Sequence, residues 1–98
     1  NMNLPMPQGT GDADYLDTLR SATTYLRAFG ADVLVVALGL DAYEKDPLKG
    51  FAITTPGFAQ LGSAIASIGL PTLFVQEGGY LCDELGDNLT NVLKGFAG

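Results

Sequence analysis

The chain contains no histidine and no tryptophan, and it has a single cysteine. Without histidine, these 98 residues by themselves cannot form a Ser-His-Asp triad or a histidine-rich zinc site. A glycine-rich phosphate loop of the GxxxxGK(S/T) type is also missing. The lone Cys82 excludes an internal disulfide and is typical of a reducing compartment, so we predict a cytoplasmic protein.

Charged residues are scarce, at 16% of the chain compared with about a quarter in ordinary soluble domains. The net charge is −6 and the five basic residues do not cluster, which argues against a nucleic-acid partner. No apolar run is long enough to span a membrane, so we expect no membrane partner. So few charges hydrate little surface, and we therefore expect residues 1–98 to be a single segment of a larger domain.

In the first half of the chain, a helical apolar pattern is followed by a short continuous apolar run. The predicted first helix has Asp12 or Asp14 at its cap and ends at Gly30. The run from Asp32 to Leu38 is β-branched and lacks polar alternation, as in strands that are buried on both faces. The apolar face of the helix comprises Tyr15, Leu19, Ala22, Leu26 and Phe29.

The second half repeats this alternation. A long loop from Gly39 to Gly57 leads into a second helix, which starts at Thr55-Pro56 with a hydroxyl at its cap. A second buried strand follows at 72–76, and a third helix follows the sequence EGGY. Alternating helices and strands predict an α/β fold with a parallel sheet and helices on both faces. The apolar face of the third helix comprises Leu81, Leu85, Leu89, Leu93 and Phe96.

The two strand regions align with each other at an offset of 39 residues, FGADVLVVALGLDAY on IGLPTLFVQEGGYLC. This alignment puts Asp41 and Tyr80 at equivalent places just beyond the carboxyl ends of the two strands. Ligands of open α/β sheets bind in the crevice outside those ends. If the strands are neighbours, the carboxylate and the phenol therefore face one crevice.

Taken singly, the polar residues at the strand ends also have ordinary structural explanations. Asp41 could be a loop or cap aspartate as well as a metal ligand or base, and Asp46 before a proline is typical of a turn. Gly78 and Gly79 fit a tight turn as well as a close backbone approach to a ligand. Tyr80 could be a packed tyrosine or a hydrogen-bond donor to developing oxyanion charge.

Three motifs in order, NxPxPxGTGDxDY, LGLDxxxxDPL and EGGY, resemble the zinc-dependent deacetylases of the arginase/deacetylase fold. That family includes histone deacetylases and acetylpolyamine amidohydrolases. The stretches MPQGTGDADY, GLDAYEKDP and PTLFVQEGGY are most similar to the acetylpolyamine amidohydrolase branch. The resemblance implies a three-layer α/β/α fold, of which this chain is the C-terminal portion.

The resemblance also implies roles for individual residues. Asp41 matches a zinc ligand, and Tyr80 matches the catalytic tyrosine that hydrogen-bonds the scissile carbonyl and the tetrahedral oxyanion. Gly78, Gly79 and Leu48 match positions along the substrate channel. Asp46, in turn, matches a turn residue near the metal that does not bind it.

The remaining zinc ligands and the active-site histidines of that family have no counterpart in this sequence. We therefore expect Zn²⁺ and activity in the parent enzyme only, since a catalytic zinc site uses three protein ligands. The implied substrate is a small acetylated amine, either an acetylpolyamine or an acetyl-lysine. Two other interpretations remain: a non-catalytic α/β module that binds a partner or small anion, and a structural fragment that self-associates as a homo-oligomer through exposed apolar surface.

Overall fold

Helices and strands alternate along the chain, in a computed structural model that describes all 98 residues. None of the helices combines the length and the apolar character needed to cross a bilayer. The elements are α1 (Asp12–Phe29), β1 (Leu34–Leu38), a 3₁₀ turn (Leu40–Ala42), α2 (Thr55–Ala66), β2 (Thr72–Gln76) and α3 (Leu85–Ala97).

The two strands pair in parallel, which confirms the predicted α/β class. Leu34 lies opposite Thr72 and Leu38 opposite Gln76, so partners are 38 positions apart. The internal alignment at 39 residues is therefore one residue out of the pairing register. Because successive strand residues point to opposite faces, this shift means that Asp41 and Tyr80 are not equivalent positions of the sheet.

The core lies on one face of this two-stranded sheet. On that face, Phe74 of β2 packs edge-to-face on Phe96 of α3, with ring centroids 5.1 Å apart. On the opposite face, Val35, Leu73 and Val75 are 62%, 56% and 40% exposed. Within these 98 residues, the second apolar face of the strands has no helix that buries it.

Helices α2 and α3 pack so closely that their backbones touch. A Cβ atom on Gly95 of α3 would overlap the carbonyl oxygen of Ala59, and one on Gly62 of α2 would overlap that of Val92. Glycine at both positions therefore brings the helices together over the core. The buried cluster beneath them comprises Leu16, Leu38, Leu40, Ala42, Tyr43, Ile53, Phe58, Leu61 and Val92.

Two helix caps differ from the predicted ones. The N-cap of α1 is Gly11, without a side-chain hydrogen bond, instead of Asp12 or Asp14. The N-cap of α2 is Thr54, one residue before the predicted position, and its hydroxyl accepts the N–H of Gly57 at 3.0 Å. Asp12 is not free to cap its own helix because its carboxylate binds Thr54, as described below.

The predicted helix faces were also wrong in part. The buried positions of α1 are Leu16 and Thr23, whereas Phe29 is 74% exposed. In the C-terminal helix, Leu81 precedes the first turn and is 95% exposed. Leu81 and Leu85 are four residues apart, as neighbours on one face of a helix are, but the helix begins only at Leu85.

The long loop after β1 is held by hydrogen bonds on both sides of a short extended segment at residues 50–54. On one side the N–H of Ala52 donates to Thr10 at 2.9 Å. On the other side the N–H of Ile53 donates to Ala42 at 3.0 Å, and Glu44 donates back to Ile53 at 2.9 Å. The start of α1 and the 3₁₀ turn after β1 are thereby joined through one intervening segment.

The glycine contact between α2 and α3 predicts a large difference between two alanine substitutions in one helix. Gly95→Ala should lower the free energy of unfolding by about 1–3 kcal/mol, because the added methyl overpacks the helix crossing. Gly86→Ala in the same helix is the control, since no atom lies within 4 Å of the added Cβ. It should raise that free energy by about 0.5–1 kcal/mol. Urea unfolding of the full-length protein measures both, and equal effects would contradict the prediction.

Candidate functional site

Asp41 lies on the 3₁₀ turn directly after β1, with its carboxylate against two glycines. A Cβ atom on Gly39 would lie 2.6 Å from Asp41 Oδ1, and a Cβ on Gly78 would collide with both the Oδ atoms and Cγ. Glycine at these two positions therefore makes room for the carboxylate between the ends of the two strands. The structure brings together Asp41 and Gly78, two of the predicted site residues.

Backbone hydrogen bonds continue the pairing of the strands beyond their ends. The N–H of Glu77 donates to Leu38 at 2.9 Å, and the N–H of Leu40 donates to Gly78 at 2.9 Å. The EGGY segment is thereby fixed alongside the turn that carries Asp41. This pairing places the carboxylate at the carboxyl edge of the sheet, where ligands of α/β proteins bind.

Asp41 lines a cavity of about 260 Å³. Leu48, a predicted channel residue, lines the same cavity, although its side chain is 65% exposed. A second hollow of about 400 Å³ between α1 and α2 contains none of the predicted site residues. The complete lining of the Asp41 cavity is Tyr15, Gly39, Asp41, Ala42, Leu48, Gly50 and Phe51.

Two aromatic residues of this cavity were not predicted as site residues. Tyr15 packs edge-to-face on Phe51, with ring centroids 5.4 Å apart and planes at 76°. Burial raises the pKa of the Tyr15 hydroxyl, and the negative charge of Asp41 raises it further. The sequence pattern assigned Tyr15 only to helix packing. Its contact with Phe51 could not be predicted because hydrogen bonds between distant segments bring the two rings together.

Gly79 and Tyr80, the predicted site residues that follow Gly78, lie outside the lining of this cavity. Gly79 has φ +134°, a conformation that favours glycine, and a Cβ there would press on Leu40 and Leu85 at 2.9 and 3.0 Å. Tyr80 is 46% exposed and does not line the Asp41 cavity. Although the two strands are neighbours, Tyr80 therefore does not face the Asp41 cavity, whereas the sequence alignment had predicted that it would.

Asp46 is 1% exposed and holds its own turn. Its Oδ2 accepts the N–H of Leu48 at 2.8 Å, and its backbone N–H donates to Tyr43 at 3.0 Å. Through the bond to Leu48, Asp46 fixes one wall of the cavity. No hydrogen bond links it to Asp41.

A metal ion would find one protein ligand in this cavity. The carboxylates of Asp12 and Asp46 are occupied by hydrogen bonds, whereas that of Asp41 accepts none from the chain. A free carboxylate oxygen is a suitable ligand for Zn²⁺. No group of three His, Cys, Asp or Glu side chains lies together, so a complete site needs ligands from outside these residues.

Residues 1–96 match the family model of the histone deacetylase domain. The chain belongs to the histone deacetylase family. It is 42% identical over 98 residues to acetylpolyamine amidohydrolase 2 of Pseudomonas aeruginosa, and 44% identical over 96 residues to acetylpolyamine amidohydrolase of Burkholderia pseudomallei. These alignments cover 100% and 98% of the chain but 28% of each relative, so the chain spans just over a quarter of their length.

A solved structure supports the same relationship at the level of the fold. The crystal structure of acetylpolyamine aminohydrolase from Burkholderia pseudomallei superposes with a TM-score of 0.93 at 43% identity. It covers 99% of this chain, which in turn covers 28% of that structure. The HDA15 HD domain superposes with a TM-score of 0.79 at 28% identity. The predicted arginase/deacetylase-type α/β architecture is therefore confirmed.

The buried carboxylate of Asp46 predicts a measurable loss of stability on truncation. Asp46→Ala should lower the free energy of unfolding by about 1–3 kcal/mol, because the N–H of Leu48 loses its acceptor. Asp46→Asn keeps an oxygen acceptor and should lose clearly less. Urea unfolding of the full-length protein compares the two variants. Equal losses would mean that the bond to Leu48 contributes little.

Proposed function

We propose that this chain is the C-terminal part of a zinc-dependent amidohydrolase that removes acetyl groups from acetylated amines. The observation that carries this proposal is the Asp41 carboxylate, free of hydrogen bonds and set between Gly39 and Gly78 at the strand ends. Relatives named acetylpolyamine amidohydrolase match the whole chain at 39–44% identity, whereas the plant histone deacetylases match it at 27–33%. Acetylpolyamines are therefore the first substrate class to test, and acetyl-lysine is the second.

In this proposal Asp41 contributes one ligand to Zn²⁺, and the other ligands come from outside these residues. Bound zinc supplies Lewis acidity toward the acyl carbonyl and lowers the pKa of a water molecule. Tyr80 donates a hydrogen bond from its hydroxyl to the acyl oxygen as negative charge develops there. Such a donor lowers the barrier by about 3 kcal/mol, and it does so in the transition state more than in the bound substrate.

The cavity walls contribute binding and orientation. Leu48 and Phe51 present apolar surface next to Asp41, which suits the methylene groups of an extended acylated amine. Asp46 keeps Leu48 in place through the backbone hydrogen bond. The exposed side chain of Leu48 loses contact with water when a substrate lies against it, and this burial favours binding.

The exposed sheet face supports the interpretation of the chain as a segment of a larger domain. Val35, Leu73 and Val75 form an apolar surface that parallel strands normally bury under a further layer. In the proposed enzyme, the rest of the same domain covers this surface. Self-association of the segment and a cytoplasmic location stay predictions.

The role proposed for Tyr80 predicts a loss of turnover without a loss of binding. In the full-length protein, Tyr80→Phe should reduce kcat on an acetylated polyamine by about 10²- to 10³-fold with little change in KM. Tyr25→Phe is the control, because Tyr25 is a tyrosine of similar exposure, 42%, on α1. Steady-state kinetics measure both variants. Undiminished turnover in Tyr80→Phe would remove the tyrosine from this role.

The contact between Asp41 and Gly78 predicts weaker metal retention when the glycine gains a methyl group. Gly78→Ala should displace the Asp41 carboxylate and weaken zinc binding by about 10- to 100-fold, as loss of ligand support does elsewhere. Gly86→Ala on α3, where the added Cβ meets open space, is the control. Zinc content after dialysis against a competing chelator is the measurement. If Gly78→Ala retained all of its zinc while Asp41→Ala lost it, Asp41 would still bind the metal despite the added methyl group. The prediction would then be wrong.

A further inference from the structure

The segment that carries Tyr80 has little backbone support of its own. It is fixed at its start, where Gly78 accepts the N–H of Leu40, and residues 79–81 make no backbone hydrogen bonds. Tyr80 and Leu81 are 46% and 95% exposed. The position of the tyrosine therefore depends on what holds the segment at its far end.

The far end runs into α3, where the N–H of Leu85 donates to Cys82 at 3.3 Å, and an ion pair joins it to the Asp41 loop. Lys45 Nζ lies 3.0 Å from Glu84 Oε1, in both hydrogen-bond and salt-bridge geometry. Lys45 belongs to the same loop as Asp41, and Glu84 is the N-cap of α3, four residues after Tyr80. The ion pair thus connects the two loops that carry the proposed metal ligand and the proposed hydrogen-bond donor.

The surroundings favour Glu84 in its charged form. Its pKa is lowered first by the hydrogen bond from Lys45, then by its own backbone N–H and to a smaller extent by the Tyr43 side chain. Tyr43 is 2% exposed and is therefore a fixed part of the Asp41 loop. The hydrogen bond that joins this carboxylate to the Asp41 loop is the one from Lys45.

We propose that Lys45 and Glu84 are positioning residues that hold the Tyr80 segment against the Asp41 loop during the reaction. This inference rests on the proposed deacetylase function. The pair does not touch the substrate; it restricts the Tyr80 segment to the arrangement in which the hydroxyl reaches the acyl oxygen. Because the pair is solvent-exposed, its contribution is modest, and turnover should change by about two- to fivefold.

Charge reversal in the full-length enzyme tests this proposal. Lys45→Glu and Glu84→Lys should each lower kcat by about two- to fivefold, and the double variant should regain most of the loss because the opposite charges face each other again. Arg20→Glu is the control, since Arg20 forms a comparable exposed ion pair with Asp17 at 2.8 Å on α1. It should leave kcat unchanged. Single variants with wild-type kcat, or a double variant without recovery, would overturn the proposal.

A second set of variants tests whether the ion pair acts through Tyr80. In a Tyr80→Phe background, Lys45→Glu should cause no further loss of kcat, because the group that it positions is already gone. A further loss of the same size would show that Lys45 acts in another way and would overturn the inference. Full activity of Tyr80→Phe itself would remove the tyrosine from its proposed role, and this inference would fall with it while the deacetylase function stood. A wild-type protein without deacetylase activity would contradict both.

Discussion

The candidate site depends on the parallel pairing of β1 with β2. Beyond the strand ends, backbone hydrogen bonds join Leu38 to Glu77 and Leu40 to Gly78. The chain after one strand therefore lies beside the chain after the other. Asp41 then occupies a space that exists only because Gly78 has no side chain. Without this pairing the aspartate would be an isolated loop residue, and nothing would distinguish it from the other acids of the chain.

A second constraint comes from the start of α1. The carboxylate of Asp12 accepts the N–H of Thr54 at 2.9 Å and its hydroxyl at 2.6 Å, and Thr54 in turn caps α2. The close approach requires glycine at position 57, where a Cβ would overlap the Asp12 carboxylate. This contact holds the segment with Phe51 next to α1, so that Tyr15 and Phe51 meet at the wall of the Asp41 cavity.

The regular elements could be predicted from sequence because their signals are local. The strand at 72–76, the start of α2 at Thr55 and the end of α1 at Gly30, with φ +79°, all follow from short patterns. The errors arose where distant residues decide. The cap of α1 was wrong because Asp12 binds Thr54, 42 positions away, and the repeat at 39 residues missed the register by one because sequence similarity does not fix strand pairing.

The sequence likewise named some residues of the candidate cavity and missed others. Asp41 and Leu48, which the sequence singled out, line the same cavity, whereas the contact of Asp41 with Gly78 and the place of Tyr15 arise from tertiary contacts. The larger domain proposed above would account for both the lone carboxylate and the exposed sheet face. A further parallel strand at a free edge of this sheet would end beside Asp41, because the carboxyl ends of parallel strands meet at one edge. Chain from the same domain that continues the sheet would thus supply metal ligands, and its helices would cover Val35, Leu73 and Val75.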